Sequence, residues 1–373
     1  MGNKIVKQRL ASLDILRGFD LFLLVFFQPV LVEFGQQINA SWLNAVLYQF
    51  DHEIWNGFRF WDLIMPLFLF MTGVSMPFSF EKYIVTKGNK SVLYKRIFRR
   101  VVLLFILGGI VQGNFLGFDF LHIYLYTNTL QAIAVGYFIA AVLQLHFPFK
   151  YQLIACGILM LLYWFPMTFW GDFTPHGNFA DKLDRLVLGR FRDGVYWNGD
   201  GYWFFDENYT YTWILSSLTF GVTVMMGVFA GRLLKNSTNK LKNVKTLLIW
   251  GIVALMFAWL WSFQMPVNKR LWSCSMVLFS GGLCYILMAL FYYWIDYLGH
   301  VKYLNWLKIY GMNSIVAYVL GEAINFRCII HSLTYGLEQF INNYYPVFLS
   351  LGNYTIVFFI LFLMYKQKIF LKV

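Results

Sequence analysis

Apolar runs about twenty residues long, the length a helix needs to cross a bilayer, recur along the chain with short polar breaks between them. They fall at about 13–34, 62–80, 97–117, 128–146, 151–170, 212–233, 245–264, 272–295, 306–326 and 345–365. The pattern predicts an all-α polytopic membrane protein of about ten transmembrane helices, forming a single domain over residues 1–373. Between the last two runs, 327–344 carries Arg327, His331, Glu338, Asn342 and Asn343, and reads as a re-entrant segment or a loop. The longest polar break, about 171–211, is predicted to lie outside the membrane. No long-period repeat or low-complexity tract interrupts the series.

Charge orients the series. With the N-terminus cytoplasmic, the inner segments collect Lys4, Lys7, Arg9 and Arg17, then Lys82, Lys87, Lys90, Lys95, Arg96, Arg99 and Arg100. Lys150, Arg232, Lys235, Lys240, Lys242, Lys245, Lys302, Lys308, Lys366, Lys368 and Lys372 bring the inner total to 22 of the 30 basic residues. This excess predicts both termini inside, and an eleventh span would move the Lys366–Lys372 tail to the wrong side. No small-residue cleavage site closes the first run, which therefore reads as a retained span. The composition agrees: 59% hydrophobic and 13% charged, against about a quarter charged in soluble domains. A net charge of +12 therefore argues for membrane orientation and not for nucleic acid. The four cysteines have no metal-ligand spacing, so neither a zinc site nor a disulfide framework is expected.

Polar groups inside or beside the spans mark candidate chemistry, since the bilayer penalises them. Asp14 and Arg17 share a helix face at the inner end of the first run, either as an anchoring ion pair or as part of a site. Asp20, deeper in, needs an internal partner. Gln131, Asn313, Ser314 and Glu322 lie within other spans. One such group is explained by helix–helix hydrogen bonding; several in separate spans suggest a polar cavity. Just before the second span, "DHEIWNGFRFWD" places His52, Trp55, Asn56 and Asp62 together on the outer side. A histidine is a base or nucleophile near neutral pH, and a carboxylate can fix its tautomer, although a lone interfacial histidine is ordinarily only solvated. In 171–211, Asp172, His176, Asp181, Asp184, Asp193, Asp200, Asp206 and Glu207 stand among Trp and Tyr residues. That mixture suits carbohydrate and equally suits a solvated interfacial loop.

The segments "RLASLDILRGFDLFLLVF" and "DHEIWNGFRFWDLIMPLFLFMTGVS" resemble the heparan-α-glucosaminide N-acetyltransferase family of transmembrane acetyltransferases. So do "DKLDRLVLGR", "GVFAGRLLK", "MPVNKRLWSCSMV", "YGMNSIVAYVLGE" and the closing "YKQKIF". The resemblance runs from Arg9 to the C-terminus. It implies a ten-span core without the lumenal N-terminal region of the animal enzyme, which with the compact length suggests a bacterial inner-membrane protein with His52 on the periplasmic side.

The resemblance further implies acetyl-CoA as co-substrate from the cytosolic side, no metal, and an amino-sugar or glycosaminoglycan-derived oligosaccharide as acceptor on the far side. The other expected partner is the lipid bilayer, with a homodimer left open. The family histidine maps onto His52 and its following aspartate onto Asp62. His52 serves either as base in a ternary complex or as acetyl carrier. Asn56, Asn268 and Lys269 are candidate oxyanion donors, with Gln28, Trp55 and Glu322 beside the acceptor. Arg17, Arg99, Arg100, Gln131, Asn313 and Ser314 are candidates for acetyl-CoA, whose phosphates favour guanidinium and ammonium groups. Three family positions differ: an asparagine before the histidine becomes Gln28, a Leu-Gln-Arg becomes Leu130-Gln131-Ala132, and an Asp-Pro-Glu-Gly becomes Thr210-Tyr211-Thr212-Trp213. The acceptor therefore need not be heparan-derived. The alternative is a transporter of amino sugars or N-acetylglucosamine.

Overall fold

The computed structural model describes residues 10–38, 40–84, 90–198 and 200–371, without the side chains of Lys82, Ile84 and Lys90. Lys4, Lys7, Arg9, Lys87 and Lys372 of the predicted inner charges lie outside the described residues.

The described chain is overwhelmingly helical. Helix α1 spans Ala11–Gln37, with a π turn at Leu23–Phe27. The short α2, Ser41–Gln49, leads to the loop before α3, Ile64–Ile84. Then come α4 (Lys90–Val111), α5 (Thr129–His146) and α6 (Phe149–Phe169). The 171–211 segment is built, not loose: α7 covers Phe179–Leu188, and strands β1 (Val195–Trp197) and β2 (Trp203–Phe205) form an antiparallel hairpin pairing Tyr196 with Phe204. The bundle resumes with α8 (Ser216–Asn236), α9 (Lys240–Ser262) and α10 (Cys274–Phe291, prolonged by a π turn to Tyr297). It closes with α11 (Asn305–Met312), α12 (Ser314–Ala323), α13 (Arg327–Thr334) and α14 (Tyr345–Lys366).

Eight helical stretches among the described residues are long and apolar enough to cross a membrane, not ten. The predicted span 97–117 belongs to α4, whose first half carries Lys95, Arg96, Arg99 and Arg100, more charge than an unassisted span tolerates. The predicted span 306–326 breaks at Asn313, leaving two short helices. Residues 327–344 form α13 followed by single turns, packed on α14 and on the end of α1. Asp20 is fully buried, and neither carboxylate oxygen has a hydrogen-bond partner among the described residues, so the internal partner predicted for it is not found.

Helix α3 runs against α8 at the centre of the bundle. A Cβ on Gly227 would land on the Phe70 carbonyl oxygen, and one on Gly73 would land on that of Val224. Small residues at these crossings let the two backbones touch, the packing that substitutes for hydrophobic drive in lipid. With α3 fixed there, Trp61, Met65, Phe68, Thr72 and Ser75, spaced three or four apart on one face, line the internal cavities in turn.

Candidate active site

Two loops at the same end of the bundle carry the reactive groups. Gly57 holds them together: its N–H donates to the Val267 carbonyl at 2.9 Å, at a φ of 135° that only glycine takes without strain. Trp55 Nε1 donates to the Phe173 carbonyl at 2.8 Å and ties the first loop to the 171–211 segment. The second loop is over-determined. Asn268 Oδ1 accepts from Leu271 N at 3.0 Å, Tyr163 Oη donates to the Leu271 carbonyl at 2.6 Å, and Trp272 Nε1 donates to Thr223 Oγ1 at 3.1 Å. Trp272 itself sits at φ 51°, a left-handed conformation rare for a bulky residue, which this surrounding network sustains.

His52, Asp62 and Lys269 meet between these loops. His52 Nδ1 lies 2.8 Å from Asp62 Oδ1, and Lys269 Nζ lies 2.8 Å from Nδ1 and 3.0 Å from Nε2. A carboxylate oxygen only accepts, so Nδ1 carries the proton and donates to Asp62. The lone pair is then on Nε2, where Lys269 donates to it. Asp62 is fully buried; its Oδ2 accepts from the backbone N–H of Arg59 at 3.0 Å and of Glu53 at 3.2 Å. Those bonds cap the helical turn that begins α3, so one residue both starts the helix and orients the histidine. Arg59 is held off the site by Glu53, with Nε to Oε2 at 3.0 Å.

Burial holds the His52 imidazole below its ordinary value, helped by the Lys269 charge and opposed by Asp62. Burial likewise pushes the Lys269 ammonium down to about 8, against the pull of Asp62. A neutral imidazole beside an easily deprotonated lysine is an arrangement suited to moving a proton near neutral pH.

The site opens into a cavity of about 330 Å³ lined by His52, Lys269, Arg270, Asp193, Tyr209, Tyr211, Trp213 and Glu322, among others. A second cavity, of about 300 Å³, is lined by Arg17, Arg100, Ser314, Phe370 and Leu371 among others. Phe68, Thr129 and Tyr318 line both. From Met65 to Ser75 the stripe on α3 runs about 15 Å at 1.5 Å per residue, about half of a bilayer's hydrocarbon thickness.

Of the predicted residues, His52, Lys269 and Glu322 therefore line the first cavity and Arg17, Arg100 and Ser314 the second. Asp62 acts from behind His52. Asn56 is exposed and Arg99 is exposed, and neither lines either of these two cavities. Gln28 donates to the Phe50 carbonyl at 3.4 Å, and Trp55 serves Phe173, so both brace loops. Asn268 is buried in its own turn, and its Nδ2 has no hydrogen-bond partner among the described residues. Gln131 fixes the chain entering α5 by accepting from Thr127 N at 2.7 Å and donating to the Leu125 carbonyl at 2.8 Å. Asn313 ties the C-terminal segment through Ile369 and Leu371.

Among the carboxylates of 171–211, Asp181 pairs with Arg185 and Arg192, and Asp184 accepts from the N–H groups of Trp213 and Ile214 ahead of α8. Both are structural, while Asp193 lines the cavity. Arg270 and Tyr209 were not singled out from sequence, and Tyr211 entered only as a departure from the family pattern; the signal available for Arg270 was its place directly after Lys269. No group of three His, Cys, Asp or Glu side chains that could hold a metal occurs among the described residues.

Fold and site define a polytopic helical membrane protein with a buried His–Asp–Lys cluster at one end of two adjoining internal cavities. The family described as "Heparan-alpha-glucosaminide N-acetyltransferase, catalytic" matches residues 9–187. The enzymes named heparan-alpha-glucosaminide N-acetyltransferase from Mus musculus and Homo sapiens are 26% and 27% identical to the chain, over 85% and 84% of its length. By these matches the chain is similar to that family. It spans about half the length of the curated relatives it matches, 54% and 53% respectively.

Proposed function

We propose that this protein is a transmembrane N-acetyltransferase that moves acetyl from acetyl-CoA to an amine on a sugar acceptor. The observation that carries the reading is the His52–Asp62–Lys269 cluster at the mouth of a cavity that adjoins a second one lined by Arg17 and Arg100. Those arginines suit the phosphates of CoA, with the pantetheine arm directed past Phe68 and Thr129 toward His52. The donor cavity faces the cytoplasm and His52 the far side, as the basic inner segments favour.

His52 Nε2 takes the proton of the acceptor amine as its nitrogen bonds to the thioester carbon. Lys269 leaves Nε2 and donates to the oxygen that becomes the oxyanion. Collapse breaks the C–S bond, and the departing thiolate receives the proton held by His52. Asp62 stabilises the imidazolium in between and keeps the lone pair on the cavity side. The names of the relatives make a terminal glucosamine the first acceptor to try.

Purified protein given acetyl-CoA and a glucosamine-ended oligosaccharide should yield the N-acetyl product, identified as an amide by mass analysis. His52→Ala should lower kcat by about 10²- to 10⁴-fold, the ordinary worth of a positioned base. Full activity in that variant sinks the mechanism. Uptake of N-acetylglucosamine into proteoliposomes, with no acetylation under any condition, sinks the reading itself.

A further inference from the structure

The acceptor cavity contains a cation that the reaction above does not use. Arg270 lines it beside Lys269 and is partly buried. Three other sheltered arginines at this end have carboxylates: Arg59 has Glu53 and Asp51, and both Arg185 and Arg192 have Asp181. Arg270 has none within ion-pair distance among the described residues. One terminal nitrogen donates to Thr210 Oγ1 at 2.6 Å, while Nε is buried with no hydrogen-bond partner among the described residues. The guanidinium lies 5.3 Å from the ring centre of Tyr211, which stacks on Trp213 with 6.4 Å between centres and 23° between planes.

A sheltered guanidinium without a counter-ion is costly unless something supplies the missing charge and accepts the spare donors. Asp62, the nearest candidate in the cluster, already serves His52, Lys269 and two backbone N–H groups. With Thr210 holding one nitrogen and Tyr211 beneath the plane, the fork is fixed in direction, so little freedom remains to be lost when a planar anion docks. The flat faces of Tyr211 and Trp213 beside it suit the apolar face of a sugar ring.

We propose that Arg270 is a specificity-determining residue, and that Arg270, Tyr211 and Trp213 form an acceptor subsite for an anionic substituent, a carboxylate or sulfate, on the sugar that bears the reacting amine or on its neighbour. The proposal rests on the acetyl-transfer reading for the identity of the cavity.

The test compares glucosamine, glucosamine 6-sulfate, a glucosaminyl–glucuronate disaccharide and the methyl ester of that disaccharide, each with acetyl-CoA. The wild type should favour the free acid over its ester by roughly tenfold or more in kcat/KM, the scale of a charge-assisted hydrogen bond. Arg270→Gln, which can keep a bond to Thr210, should bring that ratio near one with the KM for acetyl-CoA unchanged. Arg270→Lys should fall between. Equal use of acid and ester by the wild type overturns the proposal, as does a loss in Arg270→Gln that is equal for both.

A binding arm runs without turnover. The N-acetylated disaccharide should raise the melting temperature of the wild type more than its methyl ester does, and Arg270→Gln should abolish the difference. If acetylation is never detected but this difference is present, the transfer reading fails and the subsite stands. If inorganic sulfate alone stabilises the protein as well as the disaccharide acid, and inhibits charged and neutral acceptors equally, the anion comes from solution and the proposal falls.

Discussion

At the scale of single residues, the site is a proton balance among three groups. His52 is held below its usual value, so it is already neutral at pH 7 and its base form is lost only as pH falls through a midpoint under 6.5. Lys269, near 8, loses its donor proton as pH rises through that value. The kcat/KM profile for acetyl transfer is therefore expected to be bell-shaped, with an acid limb below 6.5 and an alkaline limb near 8. Lys269→Met removes a positive charge that disfavours the imidazolium, so the acid limb should move to higher pH and the alkaline limb should vanish. An unmoved acid limb in that variant would refute the electrostatic coupling. Asp62→Asn should act in two ways, since Oδ1 orients His52 and Oδ2 caps α3. Activity should fall at least about tenfold, and melting temperature should drop as a lost cap costs about 1 kcal/mol. His52 and Asp62 were legible in the sequence because ten residues separate them and one of them begins a span. Lys269 was legible as a residue but its contact with His52 was not, since the two stand 217 positions apart. The aromatic wall of Tyr209 and Tyr211 was invisible for the same reason, and the structural use of Asp181 and Asp184 depends on Arg192 and α8, which no local pattern announces.

At the scale of elements, hydropathy located the helices well and misread the two that build the second cavity. Helix α4 brings Arg100 inward among apolar neighbours, with its guanidinium 4.3 Å from the ring centre of Tyr137. That use of charge inside a bundle is what a window average treats as a poor span. The break at Asn313 serves a similar end. Its amide replaces the lost helical bonds by pairing with the C-terminal segment, donating to the Ile369 carbonyl at 3.0 Å and accepting from Leu371 N at 3.1 Å. Phe370 and Leu371 are thereby laid along the second cavity. Asn313→Ala should release that segment and raise the KM for acetyl-CoA several-fold, while the KM for acceptor stays as it was; steady-state kinetics with each substrate varied in turn checks it. At the α3–α8 crossing, Gly227→Leu has no such selective effect. A side chain driven into the Phe70 carbonyl must part the two helices, and the expected outcome is loss of the folded, monodisperse protein in detergent, seen by size-exclusion chromatography.

For the whole molecule, the question is whether the two cavities act as one. Their shared lining is Phe68, Thr129 and Tyr318, and the α3 stripe passes through that throat without a break. If acetyl transfer joins a donor held near Arg17 and Arg100 to an acceptor held near His52, the acyl arm must occupy the throat, and the bilayer need not be crossed by CoA itself. Thr129 is the place to obstruct it. As the first residue of α5, its backbone follows the Asn128 cap and does not depend on its own side chain, so a larger residue there can fill the throat while the helix still starts. Thr129→Trp is therefore expected to abolish transfer, by more than about a hundredfold, while CoA and the N-acetylated acceptor each still raise the melting temperature as they do in the wild type. Thr129→Ser should remain close to wild type. In proteoliposomes with acetyl-CoA on one side and acceptor sealed on the other, the wild type should acetylate across the membrane and Thr129→Trp should not. Retained turnover in Thr129→Trp would mean that the reaction does not pass between these cavities, and the assignment of Arg17 and Arg100 to the donor would go with it.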